Sequence, residues 1–483
     1  MKLNEVNTAM LCDLYEFTMS NGYLCSGNRD KIACFDVFFR KIPDGGGFAI
    51  MAGVEQVIEY IENLHFSEDD IDFMKSKGIF DEEFFDYLRN FKFSCDVYAF
   101  PEGTPIFPNE PILTVKGPII QAQIIETMLL LLINHQSLIA TKANRIVRAA
   151  GGRPVYEFGS RRAQGVQAAI LGARAAYIGG CQGTACVACE QLYGIPSVGT
   201  MAHSWVQMFD SEYEAFKTYA TIYPNACALL VDTYSVLKSG IPNAIKCFNE
   251  VLKPMGKRPL AVRVDSGDIT YLTRKMRAML DDAGYPDCKI MASNSLDEYI
   301  IRDTLIQGAK IDSFGVGERL ITSKSEPVFG GVYKLAGIEE NGKIVPKIKL
   351  SENVTKINIP DYKTVYRLYE NKTDKAIADL IALRGEEIDF TKPIEIFDPD
   401  FTWKKKLVDD YYVKELPVKL FDKGKKVYQA PHVKDVRSYC LKEVDNLWDE
   451  VTRFENPHNY YVDLSQKLWN VKNDLIVKHS KKD

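Results

Sequence analysis

The sequence predicts an α/β protein built on a central α/β barrel or doubly wound sheet, with smaller sheet-containing domains formed by the two ends of the chain. Three observations predict it. Between about 150 and 335, a brief apolar run, a corner of Gly, Ser or Asp and a stretch with helical spacing follow one another repeatedly. The runs are RPVYEF, IPSVGTM, CALLVDT, RPLAVRVD, CKIMASN and KIDSFGVG. Strands that are apolar throughout and alternate with helices belong to a parallel sheet with a covered outer face, as in an α/β barrel or a doubly wound sheet. At 483 residues the chain is also too long for one ordinary core.

The elements follow in order. Residues 1–135 read as an N-terminal α+β segment, with a helical start, a strand in KIACFDVFFRKIP, and strands and turns in the proline-rich VYAFPEGTPIFPNEPILTVKGP. A helix follows at about 120–150. Its stretch IIETMLLLLINHQSLIA is the most hydrophobic in the chain, but Glu126 and Asn134 leave it short of the roughly 20 apolar residues of a membrane span, so it reads as a buried helix. Residues 136–335 hold the barrel. There Ala163, Val166, Ile170, Ala173 and Tyr177 form one helical stripe; Ile269, Leu272, Met276 and Met279 form another, with Arg274, Lys275 and Arg277 on the other face. Residues 336–483, rich in Lys, Asp, Tyr and Thr, give a C-terminal α+β segment expected to pack with the N-terminal one. It contains the strand-like KTVYRLYE and KPIEIFD and a closing helix after Pro457.

Composition narrows function. Hydrophobic residues at 46% and charged residues at 26% suit a soluble globular protein, and a net charge of -5 offers no general attraction to nucleic acid or anionic lipid. An anionic substrate then has to be held by local arginines, lysines or helix ends. Eleven scattered cysteines and an opening MKLNEVNTAM without a charged-then-apolar leader point to a reducing cytoplasm. Cys181, Cys186 and Cys189 cluster in GGCQGTACVACEQLYG without a fourth ligand nearby, which favours buried thiols in a close-packed helix over a metal site.

In a parallel α/β architecture the ligand meets the carboxyl ends of the strands. The corners there supply Gly159, Ser160, Arg161 and Arg162; Thr200 and His203; Asp232 and Thr233; Arg263, Asp265, Ser266, Gly267 and Asp268; Ser293 and Asn294; and Gly315, Gly317 and Glu318. DSGD and GVGE each put glycine where a helix begins, so backbone N–H groups and the positive helix end could face a phosphate. Either alone also fits an ordinary turn or cap; two on neighbouring strand ends favour phosphate binding. Asp232 and Asp265 could then hold ribose hydroxyls or a magnesium-bound pyrophosphate, although a strand-end aspartate also serves as a cap. Arg263 lies inside an otherwise apolar strand. Either it pairs structurally with Asp265, or an arginine fork receives a carboxylate or phosphate of the substrate. No lysine stands at these strand ends, which argues against Schiff-base chemistry. His203, one of six histidines, follows the short run SVGTM as either a structural or a catalytic imidazole.

Taken in this order, LCDLYEFTMSNGY, YEFGSRRAQG, VGTMAHSWV, VDTY, RVDSGD, ASNSLDE and FGVGERL make the chain resemble nicotinate phosphoribosyltransferase over nearly its whole length. The resemblance implies an irregular barrel of the phosphoribosyltransferase type. It also implies an ATP-dependent, ligase-type enzyme of NAD salvage, which joins nicotinate to 5-phosphoribosyl 1-pyrophosphate with Mg2+. ATP hydrolysis is coupled through a phosphohistidine, and the products are nicotinate mononucleotide and pyrophosphate. By match, His203 is the phosphorylated residue, Asp265 and Asp232 lie by the ribose and magnesium, and Gly267, Gly315 and Gly317 cradle the 5-phosphate. Tyr15 and Phe158 sandwich the pyridine ring, and Arg162 or Arg263 receives its carboxylate. Arg161, Thr200, Ser266, Ser293 and Asn294 complete the substrate-binding set.

The same resemblance implies a homodimer with shared sites, in which Tyr15 serves the other chain. It suggests phosphate binding by the basic run Lys347, Lys349, Lys356, Lys363 and Arg367, whose loose spacing equally suits a solvated face. No structural zinc is expected, because the last third holds only Cys440. The alternatives are a nicotinamide-using enzyme of the same fold, which the arginines disfavour, a decarboxylating quinolinate enzyme, and a catalytically inactive barrel that senses phosphorylated ligands.

Overall fold

The computed structural model describes residues 6–351 and 356–480; the first five residues of MKLNEVNTAM, on which the expectation of no leader partly rests, lie outside the described residues. The chain forms two compact units, residues 139–327 and residues 1–138 with 328–483.

Residues 139–327 carry six strands: β1 (Val155–Glu157), β2 (Gly183–Thr184), β3 (Ala228–Leu230), β4 (Ala261–Val264), β5 (Lys289–Ser293) and β6 (Ser313–Val316). Their pairings are parallel and run in the order β2-β1-β6-β5-β4-β3. This is chain order with β6 returning beside β1 and with β2 and β3 at the two edges, which is consistent with a (β/α) barrel and differs from a doubly wound sheet, whose order reverses part-way. A parallel bridge from Thr184 to Ser197 extends the sheet beyond β2. The apolar strand residues are buried, as in Val262, Val264, Ile290, Phe314 and Val316. Helices Val166–Ile178, Ile269–Asp282 and Glu298–Ile306 follow β1, β4 and β5. Because the strands are parallel, the corners after them emerge at one end of the sheet.

Two helices differ from the sequence stripes. In Ile269–Asp282 the buried residues are Thr270, Thr273, Met276 and Leu280, so the inner face is turned from the expected one. The Thr273 hydroxyl donates to the Ile269 carbonyl at 2.7 Å, which lets a polar side chain lie inside. Arg277, expected beside Arg274 and Lys275, is only 18% exposed and bonds Asp281, the Cys288 carbonyl and the Tyr285 carbonyl, each at 2.7 Å. The helix after β1 starts behind Gly165, leaving Ala163 outside it and Val166 exposed. Of the three clustered cysteines only Cys189 lies in a helix, Val187–Tyr193; Cys181 is buried and Cys186 half-buried.

In the other unit a seven-stranded antiparallel sheet mixes strands from both ends of the chain, in the order Lys343–Pro346, Val332–Glu340, Ile32–Phe38, Leu113–Pro118, Asp96–Ala99, Val418–Asp422 and Lys425–Lys426. A second sheet of four strands holds Tyr411–Glu415, Lys363–Glu370, Ala376–Leu383 and Val462–Leu464. The closing helix is Gln466–Ser480. The apolar stretch becomes helices Ile119–Ile124 and Glu126–Ala149, long and apolar enough together to cross a membrane by length and composition, with 72% of the most apolar window buried. Two members of the basic run are structural here. Lys363 is buried with Nζ 2.6 Å from Asp36, and Arg367 is buried in a two-pronged pair with Asp379 at 2.8 and 2.6 Å. Neither guanidinium nor ammonium faces solvent, because each neutralises a carboxylate that would otherwise be stranded in the core.

Candidate functional site

The best-connected group of polar side chains at the strand ends is centred on Arg263, in β4. Its Nε donates to Ser293 Oγ at the end of β5 at 2.9 Å, its Nη2 to Asp265 Oδ1 at 3.0 Å, and its Nη1 more loosely to Thr200 Oγ1 at 3.5 Å. The Ser293 hydroxyl donates to the same Asp265 oxygen. The guanidinium carbon stands 5.6 Å from the centre of the Phe158 ring. Of the two roles the sequence left open for Arg263, the pair with Asp265 is the one present, and it offsets the cost of placing a guanidinium inside an otherwise apolar strand.

Asp232 joins a second corner to the first. Its Oδ2 accepts from the Asp265 backbone N–H at 2.9 Å and from Ser266 Oγ at 2.6 Å, while its Oδ1 is buried without a hydrogen-bond partner. The next residue, Thr233, lies with Oγ1 3.1 Å from His203 Nδ1. His203 is half-buried and opens the short helix His203–Gln207. Through Thr233 and Asp232 it belongs to the same constellation as Asp265 and Ser266, rather than to packed hydrocarbon.

The DSGD and GVGE corners follow β4 and β6, which β5 separates, so they do not stand on neighbouring strand ends as the sequence suggested; each glycine nonetheless has a definite conformational reason. Gly267 sits at φ +82°, where side-chain-bearing residues are strained. Asp268 then caps helix Ile269–Asp282, its carboxylate accepting from Tyr271 N at 2.8 Å. That helix therefore uses one of its own free N–H groups internally, and the turn amides before it are the better-placed donors. Gly315 admits no side chain, since a β-carbon would lie 2.6 and 2.7 Å from Phe158 Cδ2 and Cε2. At Gly317 it would lie 3.0 Å from the Phe158 carbonyl, and the helix beginning there, Glu318–Ile321, is only four residues long. Asn294 and the following Ser295 both adopt positive φ, 78° and 53°, and are exposed. Consecutive side-chain-bearing residues in this region mark stored strain of the kind found where backbone groups are aimed at a ligand.

The remaining expected residues stand further out. Arg161 and Arg162 lie in the turn Ser160–Arg162 with exposed side chains. Glu318 is held below the usual carboxylate range by Lys324 at 2.8 Å, with Arg162 contributing. Tyr15 belongs to the other unit, on helix Leu14–Cys25, and is 44% exposed. Partial burial and the Glu126 carboxylate that accepts its hydroxyl push its pKa upward. Clefts of about 260 Å³ beside Tyr428 and Tyr439, and about 290 Å³ beside Trp448 and Tyr461, also lie in that unit and include none of the strand-end residues.

One participant was missed from sequence. Glu157, inside the quoted YEFGSRR, is a fully buried carboxylate that accepts from the Gly159 N–H and, at 2.6 Å, from the Thr184 hydroxyl. A carboxylate closing an otherwise apolar strand was the available signal.

Comparison with known proteins gives the family. Models of the nicotinate phosphoribosyltransferase N-terminal domain, family and C-terminal domain match residues 10–134, 154–381 and 362–472. The chain belongs to the nicotinate phosphoribosyltransferase family. It is 43% identical over 466 residues to the nicotinate phosphoribosyltransferase of Bacillus subtilis (strain 168), covering 96% of this chain and 94% of that one. The crystal structure of human nicotinic acid phosphoribosyltransferase is similar with a TM-score of 0.83 at 28% identity, over 96% of this chain and all of that one (100%). A nicotinate-nucleotide pyrophosphorylase from Pyrococcus furiosus matches with a TM-score of 0.70 at 25% identity, over 92% and 97% of the two chains. Both likenesses cover nearly the whole chain, and the mixed α/β fold with its parallel sheet agrees with them.

Proposed function

We propose that the chain transfers the phosphoribosyl group of 5-phosphoribosyl 1-pyrophosphate to the ring nitrogen of nicotinate, as a transferase of NAD salvage, with ATP hydrolysis coupled through phosphorylated His203. The observation that carries this reading is the hydrogen-bonded set of Arg263, Asp265, Ser266 and Asp232, joined through the Asp232–Thr233 peptide to the Thr233–His203 contact.

Departure of pyrophosphate leaves a ribosyl centre with cationic character, so catalysis consists mainly of positioning and charge stabilisation. Asp265, held by Arg263 and Ser293, supplies a fixed carboxylate for the ribose side of the reaction. Phe158 gives one face of the pyridine site. Because the Arg263 fork is already engaged, the exposed Arg162 is the receiver of the nicotinate carboxylate, with Arg161, Asn294 and the glycine turns toward phosphate. His203 uses Thr233 to set its tautomer: with Nδ1–H donating to the Thr233 hydroxyl, Nε2 keeps its lone pair and attacks the γ-phosphorus of ATP. The N–P bond forms as the bond to the bridging oxygen breaks, and ADP leaves.

The donor set also suits magnesium. The orphaned Asp232 Oδ1 is a buried oxygen acceptor beside the phosphate corner, and among the described residues no group of three His, Cys, Asp or Glu side chains could hold a metal. An ion bound through Asp232 would take its other ligands from pyrophosphate and water, and would supply charge neutralisation for the leaving group. The exposed apolar residues Leu11, Leu14, Tyr15 and Met19 on and before one helix support a homodimer in which Tyr15 stacks on the ring in the partner's site. The eleven unpaired cysteines support a cytoplasmic setting.

The test is pyrophosphate release by the purified protein given the ribosyl donor with nicotinate, nicotinamide or quinolinate, each with and without ATP. Preferential, ATP-stimulated turnover of nicotinate is expected. Preference for another ring overturns the assignment, and absence of pyrophosphate release with all three favours a binding protein.

A further inference from the structure

We propose that Glu157 is a positioning residue for the aromatic ring of the substrate: it fixes the Phe158–Gly159 corner and so sets nicotinate affinity without touching nicotinate. The inference rests on the reading above that Phe158 is one face of the pyridine site.

Glu157 ends β1 and is fully buried. Both of its oxygens are committed. Oε1 accepts from the Gly159 backbone N–H, and Oε2 accepts from Thr184 Oγ1 at 2.6 Å; that hydroxyl in turn accepts from the Cys186 N–H at 3.0 Å. The carboxylate therefore fastens the corner after β1 to the corner after β2. A buried carboxylate costs several kcal/mol unless it is paired, and two neutral side-chain amides could have joined the same donors more cheaply. Burial pushes the Glu157 carboxyl up, and the bonds from Thr184 and Gly159 act against that; in its ionised form it makes stronger, shorter bonds than an amide would, which is what a fixed corner requires.

What the corner fixes is the Phe158 ring. Gly159 must be glycine, since a β-carbon there would stand 2.8 Å from Glu157 Oε1 and 2.6 Å from Ile321 Cβ. The chain thus folds directly onto the carboxylate. On the other side, Phe158 N donates to the Val316 carbonyl at 2.7 Å, so the backbone of Phe158 is pinned by β6 before it and by Glu157 after it. The ring itself lies against the bare Gly315 and beneath the Arg263 guanidinium. Loss of the Glu157 tether releases one of the two pins and leaves the contacts around the ring intact.

The experiment uses the full-length protein with Glu157→Ala, Glu157→Gln and Thr184→Val, measuring KM for nicotinate and for the ribosyl donor separately, nicotinate Kd by calorimetry, and melting temperature. Glu157→Ala is expected to raise the nicotinate KM and Kd tenfold or more with the donor KM within twofold. Glu157→Gln, which retains an acceptor for Gly159, is expected to recover most of the loss, and Thr184→Val to lie between the two. If the alanine variant does not fold, a threefold or larger rise in nicotinate Kd for Thr184→Val at unchanged donor KM supports the role on its own. Unchanged nicotinate Kd in the soluble variants overturns it. So does a rise in both constants together with a lowered melting temperature, which is the mark of a purely structural carboxylate. If the wild type uses another ring instead of nicotinate, the function proposed above fails while the same ranking, read on that ring, still decides the role of Glu157.

Discussion

Gly315→Ala is the most direct probe of the proposed ring site. An added β-carbon stands 2.6 Å from Phe158 Cδ2, 2.7 Å from Cε2 and 3.1 Å from Met291 Cε, whereas ordinary contact begins at 3.4 Å. The strand cannot move away, because β6 is paired on both sides, to β1 and to β5. The Phe158 ring must therefore retreat by about 1 Å, and a misplacement of that size in a substrate-positioning group costs on the order of 10²-fold in rate. At 1.36 kcal/mol per tenfold this is about 2.7 kcal/mol of transition-state stabilisation. Overpacking alone costs about 1–3 kcal/mol of stability, so the melting temperature should fall by only a few degrees. Initial rates with each substrate varied in turn separate the two effects: kcat/KM for nicotinate should drop by about two decades while the donor KM stays near wild type. Adding Phe158→Leu, which removes the clashing ring atoms, should return the melting temperature without returning nicotinate affinity. A Gly315→Ala enzyme with wild-type kcat/KM for nicotinate refutes the placement of Phe158 in the ring site.

Other consequences are equally concrete. His203→Ala should abolish ATP hydrolysis and ATP stimulation while leaving slow ATP-independent synthesis; ATP dependence that persists removes the phosphohistidine. Thr233→Val, which deletes the partner of Nδ1, should lower the yield of acid-labile phosphoprotein several-fold without altering the nicotinate KM. Glu16 offers a pH test. Burial pushes its carboxyl up to about 7 from an ordinary value of 4.5, against hydrogen bonds from Thr127 and Asp13 that favour ionisation. A raised folded pKa means that the folded state binds the proton more tightly. The stability from this group is therefore full below about pH 4.5 and lost as the pH rises through about 7. Glu16→Gln should then gain roughly 2 °C on the wild type between pH 5 and pH 8, and parallel melting curves across that range would show that Glu16 is not the titrating group.

How much of this could be read from the chain follows from the range of each interaction. The parallel α/β order was legible because apolar runs, glycine corners and helical stripes are local patterns. The corners that meet in space were legible because parallel strands put all their carboxyl ends on one side. The pairing of Arg263 with Asp265 was one of two open roles, since two residues of separation permit contact without requiring it. Other features depend on rotation about a helix axis or on partners far along the chain. The inner face of Ile269–Asp282 includes Thr273, whose hydroxyl is satisfied by its own helix, and no hydrophobic count finds a buried threonine. Lys363 and Arg367 looked like a solvated or phosphate-binding run, but their carboxylates are Asp36 and Asp379, 327 and 12 residues away. Glu157 was hidden for the same reason, its partner Thr184 lying on the next strand.

The charge of the strand-end group bears on how an anionic donor is held. Arg263 contributes one positive charge and Asp265 and Asp232 two negative ones, so these three groups together carry a net charge of −1. Such a set repels a ribosyl donor carrying phosphate and pyrophosphate. At about 4 Å and an effective dielectric of 20, each uncompensated pair of unit charges is worth up to about 4 kcal/mol. The compensation has to come from outside the set, and the candidates are a divalent cation at the unpartnered Asp232 oxygen and the exposed Arg161 and Arg162. These two sources respond differently to salt, because exposed guanidiniums are screened while a metal bridge inside the corner is screened far less. Replacing both arginines by alanine should therefore raise the KM of an anionic substrate and flatten its dependence on ionic strength between 50 and about 300 mM. Asp232→Asn should instead raise the magnesium concentration needed for half-maximal rate and leave the salt slope as it was. An Asp232→Asn enzyme with an unchanged magnesium requirement would leave the arginines as the only counter-charge and exclude Asp232 as the metal's anchor.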